Sequence, residues 1–289
     1  MFFLNRKEKG GGALPNLIVI GAPKSGTTSL HENLKLHPQI AMSREKELRF
    51  FMEEFNWKRG VDWYRSRFSR EAEVRGESSV GYSLYPIYQN VPERIHHVVP
   101  KARLIYLVRD PIDRMVSHYV HLLAEGREDR PIEAAIMERG MNRYLAASLY
   151  GMQIGRYLPF FPLSRFLILA LEDLQRDPAR VMQRAFEFLG VDPAYTSPRF
   201  GRVRHRSERK RRKNRAGMML KSLAESRAAE CFTSQFRRAV GRMLYPPVSR
   251  PIPRPVLSNA LKGRIAERLQ DDLKTFRTLT GRRFRSWQV

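Results

Sequence analysis

Ten residues, Gly21-Ala22-Pro23-Lys24-Ser25-Gly26-Thr27-Thr28-Ser29-Leu30, follow directly on the apolar run Leu17-Ile18-Val19-Ile20. A short continuous apolar run is the pattern of a strand buried on both faces of a parallel sheet. The Gly/Pro/Ser segment behind it makes a tight turn, and Thr28 to His37 reads as a helix. Strand, glycine loop and helix start aim several backbone N–H groups and a positive helix end at one point, the arrangement that binds phosphate. The spacing is not G-x-x-x-x-G-K-[ST]: Thr27 stands where that motif has lysine, and the lysine comes earlier, at Lys24. The loop therefore suits a phosphate-like group but presents its cation differently from an ATPase.

A second constellation, Arg109-Asp110-Pro111-Ile112-Asp113-Arg114-Met115-Val116-Ser117, follows the apolar run Leu104 to Val108. In open α/β sheets ligands bind outside the carboxyl ends of strands, so Arg109 is placed to fork onto an anionic oxygen pair. An Arg-Asp pair capping a helix accounts for Arg109 and Asp110 but not for Ser117, two turns along. Arg114 also reads as a structural ion-pair partner on that helix. A third group is Lys46-Glu47-Leu48-Arg49-Phe50-Phe51. One reading of Glu47 is a surface carboxylate paired with Lys46 or Arg49.

Alternating strands and helices must position these groups. Val74 to Ser79 reads as a second strand, Leu104 to Val108 as a third, and Phe166 to Leu171 as a further buried one. Asp110-Pro111 and Asp177-Pro178 each supply an N-cap and an N1 proline, for helices running toward Glu125 and stopping near Gly190. The order argues for an α/β fold, a central parallel sheet flanked by helices on both faces. From Arg199 to Arg215, ten of seventeen residues are Arg or Lys, and Pro246 to Pro255 must be extended, so 199–255 is expected to be a basic, Pro-rich loop region. Leu261, Ile265, Leu269, Leu273, Phe276 and Leu279 make one apolar face of a C-terminal docking helix over 258–281.

Composition narrows the chemistry. The 289 residues, 42% hydrophobic, suffice for one substantial core, and a single domain is expected over 1–289, with 1–16 a disordered lead-in. A formal charge of +24 attracts anions: nucleotides, acidic glycans, nucleic acid or an acidic membrane surface. Cys231 is the single cysteine, so an intramolecular disulfide and a multi-thiolate metal site are both excluded. No H-E-x-x-H spacing appears among the seven histidines, and no metal is expected. The basic run lacks interleaved aromatics for stacking bases, so no specific nucleic-acid partner is expected. No stretch is long enough to span a membrane, and the first residues do not resemble a signal peptide; a cytoplasmic protein is expected.

Pro23 to Thr28 resembles the P-K-[ST]-G-T-[TS] core of the sulfotransferases that use 3'-phosphoadenosine 5'-phosphosulfate (PAPS). Arg109 to Ser117 is similar to their R-D-P-x-x-R-x-x-S motif. The resemblance implies a P-loop-like three-layer α/β fold, with Pro23, Lys24, Ser25, Gly26, Thr27, Thr28 and Ser29 on the 5'-phosphosulfate and Arg109 and Ser117 on the 3'-phosphate. Glu47 to Phe51 resembles the E-x-x-F-F segment of the heparan-sulfate-type enzymes, whose glutamate is the general base. That implies Glu47 as the catalytic base beside Lys24. Arg49 stands where the heparan 3-O-sulfotransferases have histidine; it would either weaken the base or bind an acidic acceptor.

Gly76-Glu77-Ser78-Ser79 resembles the family's G-E-x-[ST] strand and places Ser78 on the acceptor side. Ser148 to Gly151 resembles a segment near the nucleotide cleft and adds Tyr150; the basic loop supplies Lys210 and Arg211 as candidates for closing over the 3'-phosphate. Leu171 to Leu174, Asp177-Pro178 and Phe188 to Val191 match framework, and Leu279-Thr280-Gly281 with Trp287 fits the family's ending. The implied reaction moves a sulfuryl group in line to a hydroxyl or amine of an acceptor: a glycan, a glycolipid or a small metabolite. A nucleotide kinase and a non-catalytic polyanion binder remain as alternatives.

Overall fold

A computed structural model describes residues 12–69, 71–201 and 252–289. Lys210, Arg211, Cys231 and most of the basic and Pro-rich region lie outside the described residues. Among the described residues five strands form one sheet: β1 (Leu17–Gly21), β2 (Ile40–Met42), β3 (Val74–Ser78), β4 (Arg103–Val108) and β5 (Phe166–Ala170). Every pairing is parallel, in the order β2-β3-β1-β4-β5, so the phosphate-loop strand is central. The four expected strands are present. β2 was not expected, because Ile-Ala-Met is too short to carry a period.

The described helices are α1 (Thr27–Leu34), α2 (Gly60–Arg65), α3 (Val91–Val98), α4 (Pro111–Ala124), α5 (Ile132–Ile136), α6 (Arg143–Ala146), α7 (Tyr150–Gly155), α8 (Leu171–Arg176), α9 (Pro178–Leu189) and α10 (Asn259–Thr280). α1 ends three residues before the expected His37, since Pro38 disfavours helical backbone at the residue before it. The expected caps form. Asp110 accepts from the Asp113 N–H at 2.9 Å and Asp177 from Arg180 at 3.0 Å; a further cap not expected from the sequence is Ser258, which accepts from Leu261 at 3.2 Å.

Both faces of the sheet are covered, which makes three layers. Ile18, Ile20, Leu104 and Tyr106 face a core completed by Met115 of α4 and by Ile265 and Phe276 of α10. Leu17, Val19, Ile105 and Leu107 face the other, with Leu30 of α1 and Phe186 of α9. Adjacent residues on one strand thus enter opposite cores, the reason these strands read as unbroken apolar runs.

Two polar contacts fix helices that the site depends on. His31 of α1 is buried, with Nδ1 2.9 Å from Ser78 Oγ at the end of β3. Burial, with Lys46 and Lys35 nearby, pushes its pKa down from 6.5 to about 4, so the ring is neutral at pH 7. Across the other layer, Asp272 of α10 accepts the N–H groups of Gly151 (2.9 Å) and Met152 (2.6 Å), capping α7 from a neighbouring helix. A Cβ on Gly151 would lie 2.7 Å from the Asp272 carbonyl oxygen, so only glycine allows this approach.

Gly151→Ala is therefore expected to lower unfolding stability by about 1–3 kcal/mol, measured by urea titration. His31 takes up its proton near pH 6.5 when unfolded and only near about 4 when folded, so the unfolded chain binds more protons in that window. Stability should fall as pH drops from 6.5 toward about 4, by roughly 2 kcal/mol more in the wild type than in His31→Gln.

Candidate active site

Because every strand is parallel, all five carboxyl ends lie along one edge of the sheet. The segments leaving that edge are 21–26 after β1, 43–51 after β2, 79–84 after β3 and Arg109 after β4, and they carry the loop at Pro23 to Thr28, Lys46 to Phe51 and Arg109 singled out in the sequence. Five non-glycine residues among those described have left-handed backbone, and three of them are the candidates Lys24 (φ 68°), Glu47 (φ 63°) and Arg49 (φ 50°). Such conformations cost about 1–3 kcal/mol each and collect where function demands a particular shape.

The loop after β1 is compact. The Ala22 N–H donates to the Leu107 carbonyl at 2.6 Å, and the Ser25 N–H returns to the Ala22 carbonyl at 3.2 Å. Gly26 is the N-cap of α1 at φ 87°, and a Cβ there would lie 2.5 Å from Leu171 Cδ1. Ser25 Oγ is buried yet has no hydrogen-bond partner among the described residues. A buried hydroxyl without a partner is costly unless something else satisfies it. An anion seated on the loop would do so. Pro23 and Thr27 are buried, while Lys24, Thr28 and Ser29 are half-buried.

Glu47 is tied to this loop through Lys46. The ammonium lies 2.8 Å from Glu47 Oε1 and 3.4 Å from Thr27 Oγ1 at the head of α1. The Lys46–Glu47 pair read from the sequence is therefore present, and both side chains are about a fifth exposed. Glu47 Oε2 accepts the Val80 N–H at 3.1 Å. Arg49 is exposed, its guanidinium 4.8 Å above the Phe55 ring, so it stacks on an aromatic face and does not pair with Glu47.

On the other side of β1, Arg109 pairs with Asp113 at 3.1 Å, and Asp113 also accepts from Arg254 at 2.6 Å. Ser117 is buried two turns along α4. Arg114 is fully buried: it donates to Ser148 Oγ at 2.7 Å, to His118 Nδ1 at 3.2 Å, to the Tyr144 carbonyl, and to the Pro23 carbonyl of the loop at 3.5 Å. None of these partners is acidic. Burial lowers its pKa to about 10, which still leaves it charged at pH 7, and burial together with Arg114 keeps His118 neutral. The expected structural ion pair at Arg114 is replaced by a guanidinium held entirely by dipoles.

Two expected contact residues are placed differently. Ser78 and Tyr150 are fully buried and their hydroxyls are engaged, Ser78 with His31 and Tyr150 with the Arg109 carbonyl at 2.7 Å. They position α1 and Arg109 and present no free group to a ligand. Lys210 and Arg211 fall outside the described residues. The sequence reading missed the bridging role of Lys46, the Arg254–Asp113 pair, and a buried cluster at Glu77. Among the described residues no group of three His, Cys, Asp or Glu is placed to hold a metal ion, and no helix is long and apolar enough to cross a membrane.

Comparison with known proteins agrees with this geometry. Residues 14–242 match the family model described as a sulfotransferase domain. The human bifunctional heparan sulfate N-deacetylase/N-sulfotransferase 3 is 33% identical over 212 residues, 65% of this chain and 24% of that protein. Human heparan sulfate glucosamine 3-O-sulfotransferase 6 is 31% identical over 194 residues, 64% of this chain and 55% of that protein. The chain thus aligns with little more than half, or less, of these relatives. The structure of a sulfotransferase from Alicyclobacillus acidocaldarius superposes with a TM-score of 0.68 at 22% identity, covering 96% of this chain and all of that one, which shows a shared fold. The loop after β1, the arginine after β4 and the match over most of the chain place this protein in the sulfotransferase family.

Proposed function

We propose that this protein transfers a sulfuryl group from PAPS to a hydroxyl or amine of an acidic carbohydrate or glycoconjugate. The observation that carries the reading is the loop after β1, where a buried Ser25 hydroxyl awaits a partner beneath a helix start. The donor would supply an activated sulfuryl group on a phosphate leaving group. Backbone N–H groups from Lys24 to Thr28, with the N-terminus of α1, would hold its 5' end. Lys24 would neutralise charge gathering on the leaving oxygen. Arg109 and Ser117 would hold the 3'-phosphate, with Tyr150 fixing the Arg109 main chain from below.

Glu47 would accept the proton shed by the attacking acceptor, and its hydrogen bond from the Val80 N–H aims one carboxylate oxygen. Lys46 keeps that carboxylate within one side chain of the loop. An acidic acceptor fits the exposed Arg49, two residues from Glu47, and further arginines on the aromatic cluster that follows. Of these, Arg67 also pairs with Glu45 and Arg94 with Glu53. Besides Arg49 over Phe55, Arg59 and Arg67 lie over Trp63 at 4.5 and 4.8 Å, and Arg94 over Trp57 at 5.4 Å. The formal charge of +24 and the heparan sulfate relatives point the same way.

Lys24→Ala is expected to lower turnover by about a hundredfold to a thousandfold, assayed as sulfuryl transfer to heparan-type oligosaccharides. A variant at near wild-type rate would remove Lys24 from the mechanism. Calorimetry should show 3'-phosphoadenosine 5'-phosphate binding well above ATP and 5'-AMP, and Arg109→Ala should weaken it about ten- to a hundredfold. Equal or better binding of ATP would make the protein a phosphotransferase instead.

A further inference from the structure

Glu77 is the last residue but one of β3 and is wholly buried, yet it belongs to none of the contacts described above. Its Oε1 accepts from the hydroxyls of Tyr64 of α2 (2.6 Å) and Tyr82 (2.9 Å), and its Oε2 accepts from Ser79 (2.8 Å). Each hydroxyl has one proton and gives it to the carboxylate, so its oxygen is left as an acceptor facing away. Two of them meet main-chain donors of the segment carrying Glu47. Ser79 Oγ accepts the Arg49 N–H at 3.0 Å, and the Tyr82 oxygen accepts the Phe51 N–H at 3.4 Å.

That segment needs such support. Glu47 and Arg49 both hold left-handed backbone, and between them the Leu48 carbonyl accepts from Asn56 Nδ2 at 2.7 Å. The Glu47 N–H donates to the Ser78 carbonyl at 2.9 Å and the Glu47 side chain accepts from Val80, so β3 and the residues after it grip the turn from several points. Tyr64 adds a packing contact, stacked on Phe50 at 4.2 Å with the rings 7° apart.

We propose that Glu77 is the positioning residue of the active site: its carboxylate fixes the polarity of the Ser79 and Tyr82 hydroxyls, and these hold the Arg49 and Phe51 main chain so that Glu47 faces the acceptor. The cost of keeping a carboxylate there is visible. Burial, with Glu47 nearby, raises its pKa from 4.5 to about 7 although three hydroxyls pull it down, so the ionised form that accepts from all three hydroxyls is the main one only above about pH 7. A well-packed apolar side chain of similar volume would often serve stability equally well. The carboxylate is kept for orientation. An apolar residue cannot force two hydroxyls to present acceptors to the turn.

The inference rests on Glu47 as the base, and Glu47→Gln tests that separately: retained turnover there would overturn the base whatever Glu77 does. Glu77→Gln places an amide where one oxygen stood and reverses a hydroxyl. It is expected to lower kcat by about ten- to a hundredfold on heparan-type oligosaccharides, while affinity for 3'-phosphoadenosine 5'-phosphate stays at the wild-type value. Amide hydrogen exchange at Arg49 and Phe51 should quicken in the same variant, with no substrate present. Ser79→Ala should release Arg49 alone and Tyr82→Phe should release Phe51 alone, a pattern that general destabilisation would not produce. Unchanged exchange at both amides would overturn the proposal, and so would a loss of donor affinity in step with kcat.

Discussion

A charged guanidinium sits beneath the phosphate loop with no acid beside it. Burying a charge without a counter-ion is expensive, and Arg114 meets that cost with oriented dipoles: two carbonyls, a serine hydroxyl and a histidine ring nitrogen. One of those carbonyls belongs to Pro23, so the same contact that solvates the charge props up the loop. Had an aspartate taken the place of the dipoles, the charge of Arg114 would be cancelled. Instead that charge stays uncancelled beneath the loop, with His118 held neutral so that no further proton is added. A negative ligand is then favoured by the interior as well as by the loop's own N–H groups.

The two sides of the site rest on different supports. The loop, α1 and Arg109 are joined to β1, β4 and the buried network of α4, α6 and α7. Glu47 and its neighbours hang instead from β3 and from an aromatic cluster of Phe50, Phe51, Trp57, Trp63 and Tyr64. Lys46 is one link between them, and the His31–Ser78 contact is another. The loop after β1 and the turn at Glu47 thus rest on separate supports joined at two points.

What could be read from the sequence depended on how local its cause was. β1, β4 and β5 were legible because burial on both faces turns a strand into an unbroken apolar run. The caps at Asp110 and Asp177 were legible because a cap acts within its own helix turn. Glu77 was not, since its meaning comes from Tyr64 and Tyr82, which the fold alone brings to it. Ser78 and Tyr150 have residue types suited to contacting a ligand, and nothing local reveals that their hydroxyls are already engaged. Arg254 reaches Asp113 across 141 positions, a pairing that no pattern in a Pro-rich stretch announces.

The chain's last residues return to the first turn of α4. The Gln288 N–H donates to Asp110, and Trp287 Nε1 donates to Glu172, which in turn accepts the Asp110 N–H. Asp110 is the neighbour of Arg109. Trp287 and Gln288 thus brace the backbone that carries Arg109, so a change at either position would be felt at that arginine without touching the loop after β1.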